Sequence, residues 1–189
     1  MNVAPAKEVF AQVAKAPGEF DVQARNPENN VHIGGDSMAF GAVYGPPFVR
    51  QGAERRDATM ADFENFVKLS QSFPELDSPG GTIVEPEDRP LDSRHLDMVY
   101  ALQTLSDKPY MGSVISAENA RDTIAMGEIL FGGELPADPV SISLINCNSP
   151  LRWDDRMLSA MLEYNRRGQA VITTPFLLMG AMSPVSIPA

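Results

Sequence analysis

The sequence predicts a partial α/β barrel, with about four strand–helix units of a TIM-type (β/α)8 fold preceded by a β-hairpin. Two observations support this prediction. Short apolar runs that are typical of buried strands begin at intervals of about 30 residues, which is the length of one strand–helix unit in a parallel sheet. Between these runs lie helix-length segments with capping residues at their starts and apolar residues spaced for one buried face.

The first 58 residues are predicted to form an N-terminal region with a helix, a hairpin and a loop. A short amphipathic helix is expected over residues 7–15. Phe20–Arg25 and Asn30–Ile33 are typical of two short strands. The intervening Asn-Pro-Glu-Asn sequence has strong turn chemistry, so these two strands are expected to pair as a hairpin.

A loop rich in glycine and proline is predicted over residues 34–50. Three aromatic residues, Phe40, Tyr44 and Phe48, are interleaved with its glycines and prolines. The glycines do not have the spacing of a Walker or dinucleotide-binding loop, and no Lys-Ser or Lys-Thr pair follows them. The loop is therefore not expected to bind a phosphate group.

The predicted barrel region covers residues 59–189 and contains four strands. These are expected at Gly81–Val84, Tyr110–Ile115, Val140–Ile145 and Ala170–Thr174. Helix starts are expected at Thr59, which opens a Thr-Met-Ala-Asp capping box, and at Asp92, Ser116 and Ser149–Pro150. The third strand alternates larger apolar residues with serines, and small residues on one face suit a barrel interior. A doubly wound open sheet stays an alternative.

Composition limits the classes of function. The formal net charge is −10, from 15 Lys and Arg against 25 Asp and Glu, which argues against binding nucleic acid. The lone cysteine, Cys147, excludes an internal disulfide, and paired Cys or His spacings for a metal are absent. Because the sequence has neither a signal-peptide core at its start nor an apolar run of membrane-spanning length, we expect a cytoplasmic protein without membrane contact.

Six short motifs occur in a specific order along almost the whole chain. They are His32-Ile33-Gly34-Gly35-Asp36, Tyr44-Gly45-Pro46-Pro47, Glu54-Arg55-Arg56-Asp57-Ala58-Thr59, Lys108-Pro109, Asn146-Cys147-Asn148-Ser149-Pro150-Leu151 and the segment from Pro175 to Val185. In this order they resemble the trimethylamine methyltransferase family, which includes glycine betaine methyltransferases that lack pyrrolysine. The resemblance implies a TIM-barrel enzyme, of which this chain would be the N-terminal and middle part.

The resemblance also implies a reaction and a set of partners. A methyl group would leave a small tertiary or quaternary amine, of the trimethylamine or glycine betaine type. It would pass to the Co(I) of a corrinoid (cobalamin) that a separate, cognate protein carries. No cofactor is then expected to be bound directly by this chain. A quaternary ammonium is already activated as a leaving group, whereas a neutral tertiary amine first needs a proton or another form of activation.

Candidate binding residues follow the predicted strands, because barrel enzymes place their active sites at the carboxyl ends of the strands. A methylated ammonium group is recognised by aromatic faces, worth ~0.5–2 kcal/mol each, and by carboxylates at longer range. Asparagine side chains could hydrogen-bond a substrate carboxylate. The candidate substrate-binding residues are Glu85, Ser116, Asn146, Asn148 and Phe176.

Each of these candidates also has a purely structural interpretation. Glu85 suits a solvated loop acid, Ser116 a helix cap and Phe176 ordinary packing. The two asparagines would equally satisfy backbone groups of their loop. No catalytic residue is assigned, since Cys147 would need a nearby base to act as a nucleophile and the sequence places no histidine there. No metal ligand is assigned either.

Two other kinds of function stay open from the sequence. A different TIM-barrel enzyme, such as a lyase or aldolase, would usually need a Schiff-base lysine or metal ligands at the strand ends, and the four predicted strands have neither. A non-catalytic half-barrel could bind a quaternary amine. It could also form a homo-oligomer through the sheet edges that an unclosed barrel exposes.

Overall fold

The computed structural model describes residues 18–146 and 153–173, together with residues 7, 8, 11 and 15. Within these residues the chain has a mixed α/β fold with seven strands in three small sheets, none of them closed, and four α-helices. The helix predicted over 7–15 lies largely outside the described residues. Two antiparallel hairpins come first, and a three-stranded parallel sheet with its helices follows.

The predicted N-terminal hairpin is confirmed. Strands β1 (Glu19–Val22) and β2 (Val31–Gly34) pair antiparallel, with Phe20 opposite Ile33. The turn contains a short 3-10 helix, whose start is capped by the Asn26 side chain accepting a hydrogen bond from the Glu28 N–H. The turn chemistry that predicted the hairpin therefore also stabilises its connection.

A second hairpin, strands β3 (Phe48–Gln51) and β4 (Glu54–Asp57), was not predicted. The sequence of β4 is Glu-Arg-Arg-Asp, and all four residues are exposed, so it lacks the alternation that indicates a strand. Side-chain contacts across the pair replace burial. The Arg55 guanidinium lies 3.7 Å from the centre of the Phe48 ring, a cation–π contact that a hydropathy pattern does not reveal.

The predicted strand Gly81–Val84 is wrong: this segment is buried but does not form a strand. It lies beside β5 (Tyr110–Gly112), where the Met111 N–H donates to the Gly80 carbonyl over 3.0 Å. On its other side the Thr82 carbonyl accepts from the Gly45 N–H in the loop before β3, and these single bonds do not make a continuous ladder with either neighbour. A buried apolar run thus gave the correct position and burial, but not the regular hydrogen bonding of a strand.

The parallel sheet follows the chain order, β5–β6–β7. Strands β6 (Ser141–Leu144) and β7 (Ala170–Ile172) are shorter than predicted, as is β5. The helices are α1 (Met60–Ser72), α2 (Arg94–Leu105), α3 (Ala117–Leu130) and α4 (Asp155–Arg166). Helix α3 connects β5 to β6, and α4 lies between β6 and β7, as repeated strand–helix units require.

Two of the four predicted helix starts are confirmed. The Thr59 hydroxyl and the Asp62 carboxylate form a complete capping box at α1, and the Ser116 hydroxyl accepts from the Asn119 N–H at α3. The prediction of Asp92 at α2 is wrong, because Ser93 occupies the N-cap position and makes no side-chain cap. The start predicted at Ser149–Pro150 lies outside the described residues. Among the described residues α4 begins at Asp155, and the Asp154 side chain caps it by accepting from the Met157 N–H.

Two apolar clusters stabilise the helices against the rest of the fold. The first joins α1 to α2 and the segment before it through fully buried Phe63, Val67, Met98 and Leu102. The second joins α3, α4 and the sheet, with Tyr164 completely buried at its centre. Because each cluster lies on the helix side of the sheet, burial there holds the helices in place around the strand ends.

The serines of β6 face the helices, so their predicted position in a barrel interior is wrong. Ser141 Oγ lies 3.3 Å from the Tyr164 hydroxyl, and Ser143 donates to the Gly112 carbonyl. Small polar residues are needed there because the buried phenol needs both space and a hydrogen-bond partner. On the opposite face, Ile142 and its neighbours line an apolar cavity of about 300 Å³ shared with the first hairpin.

The first hairpin covers the amino ends of the parallel strands. The Gln23 N–H donates to the Pro139 carbonyl just before β6, and the Asn26 N–H donates to the Asp107 carbonyl just before β5. The Asn29 amide also bonds the Asp107 carboxylate over 2.9 Å. These contacts place the hairpin at one end of the sheet and leave the carboxyl ends of the strands for the candidate site.

Candidate functional site

Three segments meet where the buried stretch 81–85 and strand β5 end. Thr82 Oγ1 donates to Ser113 Oγ over 3.2 Å, which joins the stretch to the residue that follows β5. On its other side, the Gly45 N–H donates to the Thr82 carbonyl over 2.6 Å, and the Glu85 N–H donates to the Pro46 carbonyl over 2.9 Å. The Tyr-Gly-Pro-Pro loop is therefore fixed against this stretch by backbone hydrogen bonds.

Tyr44 is the aromatic residue of this junction. The residue is 41% exposed, while its hydroxyl end is buried beside the Thr82 side chain. Burial of the hydroxyl end raises the pKa of the phenol, the Thr82 hydrogen bond lowers it in part, and the negative charge of Glu85 raises it further. The phenol is therefore uncharged at neutral pH, and its ring carries a negative face without a competing phenolate.

Glu85 belongs to a charged cluster with Arg94 and Glu87. The Arg94 guanidinium, at the start of α2, lies 3.1 Å from Glu85 and 3.4 Å from Glu87, and its side chain is only 11% exposed. It also donates to the Arg89 carbonyl, while its Nε has no hydrogen-bond partner within the described residues. Two carboxylates facing one guanidinium leave an excess negative charge beside Tyr44.

The predicted residue Ser116 lies in a different environment. Besides capping α3, it lines an open groove of about 470 Å³ together with Asp92, Ile115 and Arg156. Glu118, in the first turn of α3, also lines this groove. Its pKa is lowered, chiefly by its own backbone N–H and then by the Ser116 hydroxyl.

Asn146 is partly buried directly after β6, so it lies at the same sheet edge as the ends of the neighbouring strands. The predicted residues Asn148 and Phe176 lie outside the described residues. Substrate binding by Glu85, Ser116 and Asn146 stays a prediction. The structure places the three at the carboxyl ends of adjacent segments, with Glu85 held by Arg94 and Ser116 occupied as a cap.

Sequence reasoning missed three residues of this junction: Tyr44, Thr82 and Arg94. Tyr44 begins one of the six ordered motifs, and that motif was the available signal for it. Arg94 had no such signal, because its partners Glu85 and Glu87 lie in the loop before the helix, where helical spacing does not indicate contacts. Only the fold shows that these residues lie together.

Metal binding and membrane insertion find no support in the part of the chain that the structure describes. No three His, Cys, Asp or Glu side chains there are grouped so that they could hold a metal ion. No helix among the same residues has the length and apolar character needed to cross a bilayer.

The fold is that of an α/β protein: the parallel strands follow chain order, the helices cover one face, and polar side chains cluster at the carboxyl ends of the strands. Enzymes of this class build their active sites at that edge of the sheet. Sequence comparison specifies the family. The trimethylamine methyltransferase (MTTB) family model matches residues 3–189. The glycine betaine methyltransferase of Desulfitobacterium hafniense (strain Y51) is 43% identical over 182 residues, which are 95% of this chain. The chain belongs to the trimethylamine methyltransferase family, which confirms the resemblance.

The chain spans 38% of the length of this curated relative. The described strand ends therefore correspond to one part of that relative.

Proposed function

We propose that this chain is part of an enzyme that takes a methyl group from a small quaternary or tertiary amine of the glycine betaine or trimethylamine type. The acceptor in this proposal is the Co(I) of a corrinoid carried by a separate protein, and the enzyme is cytoplasmic. The observation that carries the proposal is the 43% identity to a glycine betaine methyltransferase over 95% of the chain. This level of similarity along the whole length, together with the family match, favours the same reaction class over a lyase or aldolase.

Methyl transfer from a quaternary ammonium group requires little acid or base catalysis by the protein. The corrinoid supplies the nucleophile that accepts the methyl group when it is bound. The residues of this chain would hold the amine with one C–N bond directed at the acceptor and would exclude water, which is where orientation lowers the barrier. A quaternary ammonium needs no proton donor, so a site without an assigned general acid suits such a donor better than a neutral tertiary amine.

The distribution of charge supports a cationic donor. The whole chain carries a formal charge of −10, and an excess carboxylate lies at the candidate site beside Tyr44. A cleft of one charge sign raises the local concentration of ligands of the opposite sign. The same acidic surface disfavours phosphate-bearing ligands, so a nucleotide or nucleic acid is not part of the proposal.

We also propose that the stretch 81–85 and the three parallel strands occupy consecutive strand positions of a TIM-type barrel. In this proposal residues 1–58 form an N-terminal region and residues 59–189 form the first half of the barrel. The strand order follows the chain without reversal, as it does around a barrel. The face away from the helices is apolar and lines a cavity, which suits the layered interior of a barrel. A doubly wound sheet would instead reverse its order and place helices on both faces.

A methyl-transfer assay tests the reaction. The complete enzyme that contains this chain would be mixed with its corrinoid protein in the Co(I) state and with glycine betaine, trimethylamine, carnitine or choline. We expect the Co(I) absorbance to disappear with at least one of these donors, and not when the enzyme is omitted. Absence of transfer from all four would refute the proposed function.

A further inference from the structure

We propose that Tyr44 supplies the aromatic face against which the methylated ammonium group of the substrate binds, with Glu85 as the carboxylate that balances its charge. This inference rests on the proposed function and assigns a residue to it. No motif of known chemistry contains Tyr44, and the sequence alone places it in a loop. The observations that carry the inference are the fixed position of its loop, the exposure of the residue and the charge beside it.

The position of Tyr44 is set by backbone hydrogen bonds of its loop. The next residue, Gly45, donates to the Thr82 carbonyl, so the loop cannot move away from the stretch 81–85 without breaking a bond of 2.6 Å. The buried end of the phenol lies beside the Thr82 side chain, which itself donates to Ser113. A ring with a fixed backbone and a buried hydroxyl end loses little further freedom when a ligand binds, which favours binding.

The ring is also accessible, since Tyr44 is 41% exposed although its hydroxyl faces the protein. An ordinary packing role would bury the ring and leave the polar hydroxyl in water. Here the hydroxyl end is buried, while a large part of the residue is open at the carboxyl ends of the strands. This is the arrangement in which a ring can receive a methylated cation.

Glu85 supplies charge without blocking the ring. Its carboxylate is bonded to Arg94, which is shared with Glu87, so the three side chains keep one excess negative charge in a fixed place. A trimethylammonium group has no N–H to donate, so a carboxylate acts on it through charge at a distance rather than through a hydrogen bond. The Arg94 ion pair therefore keeps Glu85 oriented while leaving a net attraction for the cation.

This arrangement also favours release of the product. When the methyl group leaves, both electrons of the broken C–N bond remain on nitrogen, so the amine is neutral until it takes up a proton. The ring and the excess carboxylate then lose their attraction for it. A site built on charge and an aromatic face thus discriminates the substrate from the freshly formed product without further contacts.

Ligand binding to the complete enzyme tests the assignment. Isothermal titration calorimetry would compare glycine betaine with 3,3-dimethylbutanoate, in which an uncharged carbon replaces the nitrogen. We expect the wild-type enzyme to bind glycine betaine and to discriminate against the uncharged analogue. Tyr44→Leu should weaken glycine betaine binding roughly 3- to 30-fold, the range of one cation–π contact, and reduce the discrimination by the same factor.

Three further variants separate a binding role from a folding role. Tyr44→Phe and Tyr44→Trp keep an aromatic face and should restore most of the affinity that Tyr44→Leu loses. Tyr100→Leu is the matched control, because Tyr100 is a 63% exposed tyrosine on α2, and it should leave binding unchanged. Thermal unfolding of each variant would be followed by circular dichroism, so that a folding defect is recognised.

A direct contact gives a second readout. With ring-labelled tyrosine, we expect a nuclear Overhauser effect between the N-methyl protons of bound glycine betaine and a tyrosine ring that disappears in Tyr44→Phe. Unchanged binding by Tyr44→Leu, together with methyl transfer by the wild-type enzyme, would overturn the assignment but leave the proposed function intact. Failure of the wild-type enzyme to transfer a methyl group from any donor would overturn both.

Discussion

The ammonium group of Lys108 lies 2.7 Å from the carbonyl oxygen of Phe73, the C-cap residue directly after helix α1. It also donates to the carbonyls of Ser70 and Leu76, so one side chain satisfies three acceptors at the end of a helix. The last carbonyls of a helix have no partners within it, and a cation near them is favoured by the helix dipole. Lys108 therefore ties the start of β5 to the end of α1.

Replacing this lysine should loosen the helix end. We expect Lys108→Met, which keeps the aliphatic stem, to destabilise the fold by about 1–3 kcal/mol, because partly buried carbonyls lose a charged donor. Hydrogen–deuterium exchange should increase in peptides that cover residues 70–76. Lys68→Met, at an exposed lysine with only a 4.0 Å contact to Glu64, is the control and should change exchange little. Equal effects of the two substitutions would contradict the capping role.

Gly112 is predicted to be intolerant of any side chain. A Cβ atom there would lie 2.5 Å from the Tyr164 hydroxyl and 3.0 Å from Thr123 Cγ2. Both neighbours are fully buried, so Gly112→Ala should cost about 1–3 kcal/mol through overpacking. Denaturant unfolding measures this, with Gly18→Ala as the control, since a Cβ at Gly18 would meet no atom within 4 Å.

A double variant tests the cause of that cost. Tyr164→Phe removes the atom that Gly112→Ala would strike, so the pair should be less destabilising than the sum of the two single changes. Burial raises the pKa of Tyr164 to about 12, and the phenol is thus neutral at the pH of the measurement. Strict additivity would show that the clash is not with the hydroxyl.

The capping box of α1 should give a pH-dependent contribution to stability. The Arg56 hydrogen bonds, and then those from Thr59, hold the pKa of Asp62 well below its ordinary value. A depressed folded-state pKa means that the stabilisation is present above the unfolded value of about 3.9 and is lost as the pH falls further, towards the folded value. Asp62→Asn should therefore cost about 0.5–2 kcal/mol at pH 7 and progressively less below pH ~4.

Unfolding in denaturant at several pH values would show this difference. Glu64→Gln is a suitable control on the same helix, because Glu64 is exposed and lies outside the capping box. A loss on Asp62→Asn that stays constant down to the lowest pH at which the protein folds would contradict the assignment of the effect to the ionised carboxylate.

The first hairpin contains a second titrating pair. His32 lies opposite Asp21 across the strands, with 2.7 Å between Nδ1 and the carboxylate, and this hydrogen bond is the main reason why the pKa of His32 is raised. Stability from the pair is therefore present below the unfolded histidine pKa and is lost as the pH rises through the raised value. Asp21→Asn should lower the pKa of His32, as measured by NMR titration. Glu19→Gln, whose contact is 3.6 Å, should lower it less.

Local chemistry made several elements predictable. The caps at Thr59 and Ser116 and the Asn-Pro-Glu-Asn turn depend on residues close together in sequence, and all three are confirmed. Burial of an apolar run was also predictable, but its hydrogen bonding was not. Gly81–Val84 lies in the position of a strand, yet the Gly80 carbonyl bonds to β5 while the Thr82 carbonyl bonds to the Tyr-Gly-Pro-Pro loop.

Features that depend on a distant partner could not be predicted. The serines of β6 follow the period of a strand, and only the buried hydroxyl of Tyr164 determines which face they occupy. Likewise, Glu85 was a candidate from its position after an apolar run, but the Arg94 that holds it and the Tyr44 beside it come from other segments. Contacts between residues that are distant in sequence are determined by the fold, and local sequence patterns do not predict them.

The position of the N-terminal hairpin determines from which side ligands can approach the candidate site. Its hydrogen bonds to the residues before β5 and β6 cover the amino ends of these strands. Tyr44 lies at the opposite end, where the strands have their carboxyl ends. Under the proposed reaction, the small donor and the corrinoid protein would approach the described part of the chain from the same end. This arrangement predicts an ordered reaction, in which the amine binds before the corrinoid protein docks.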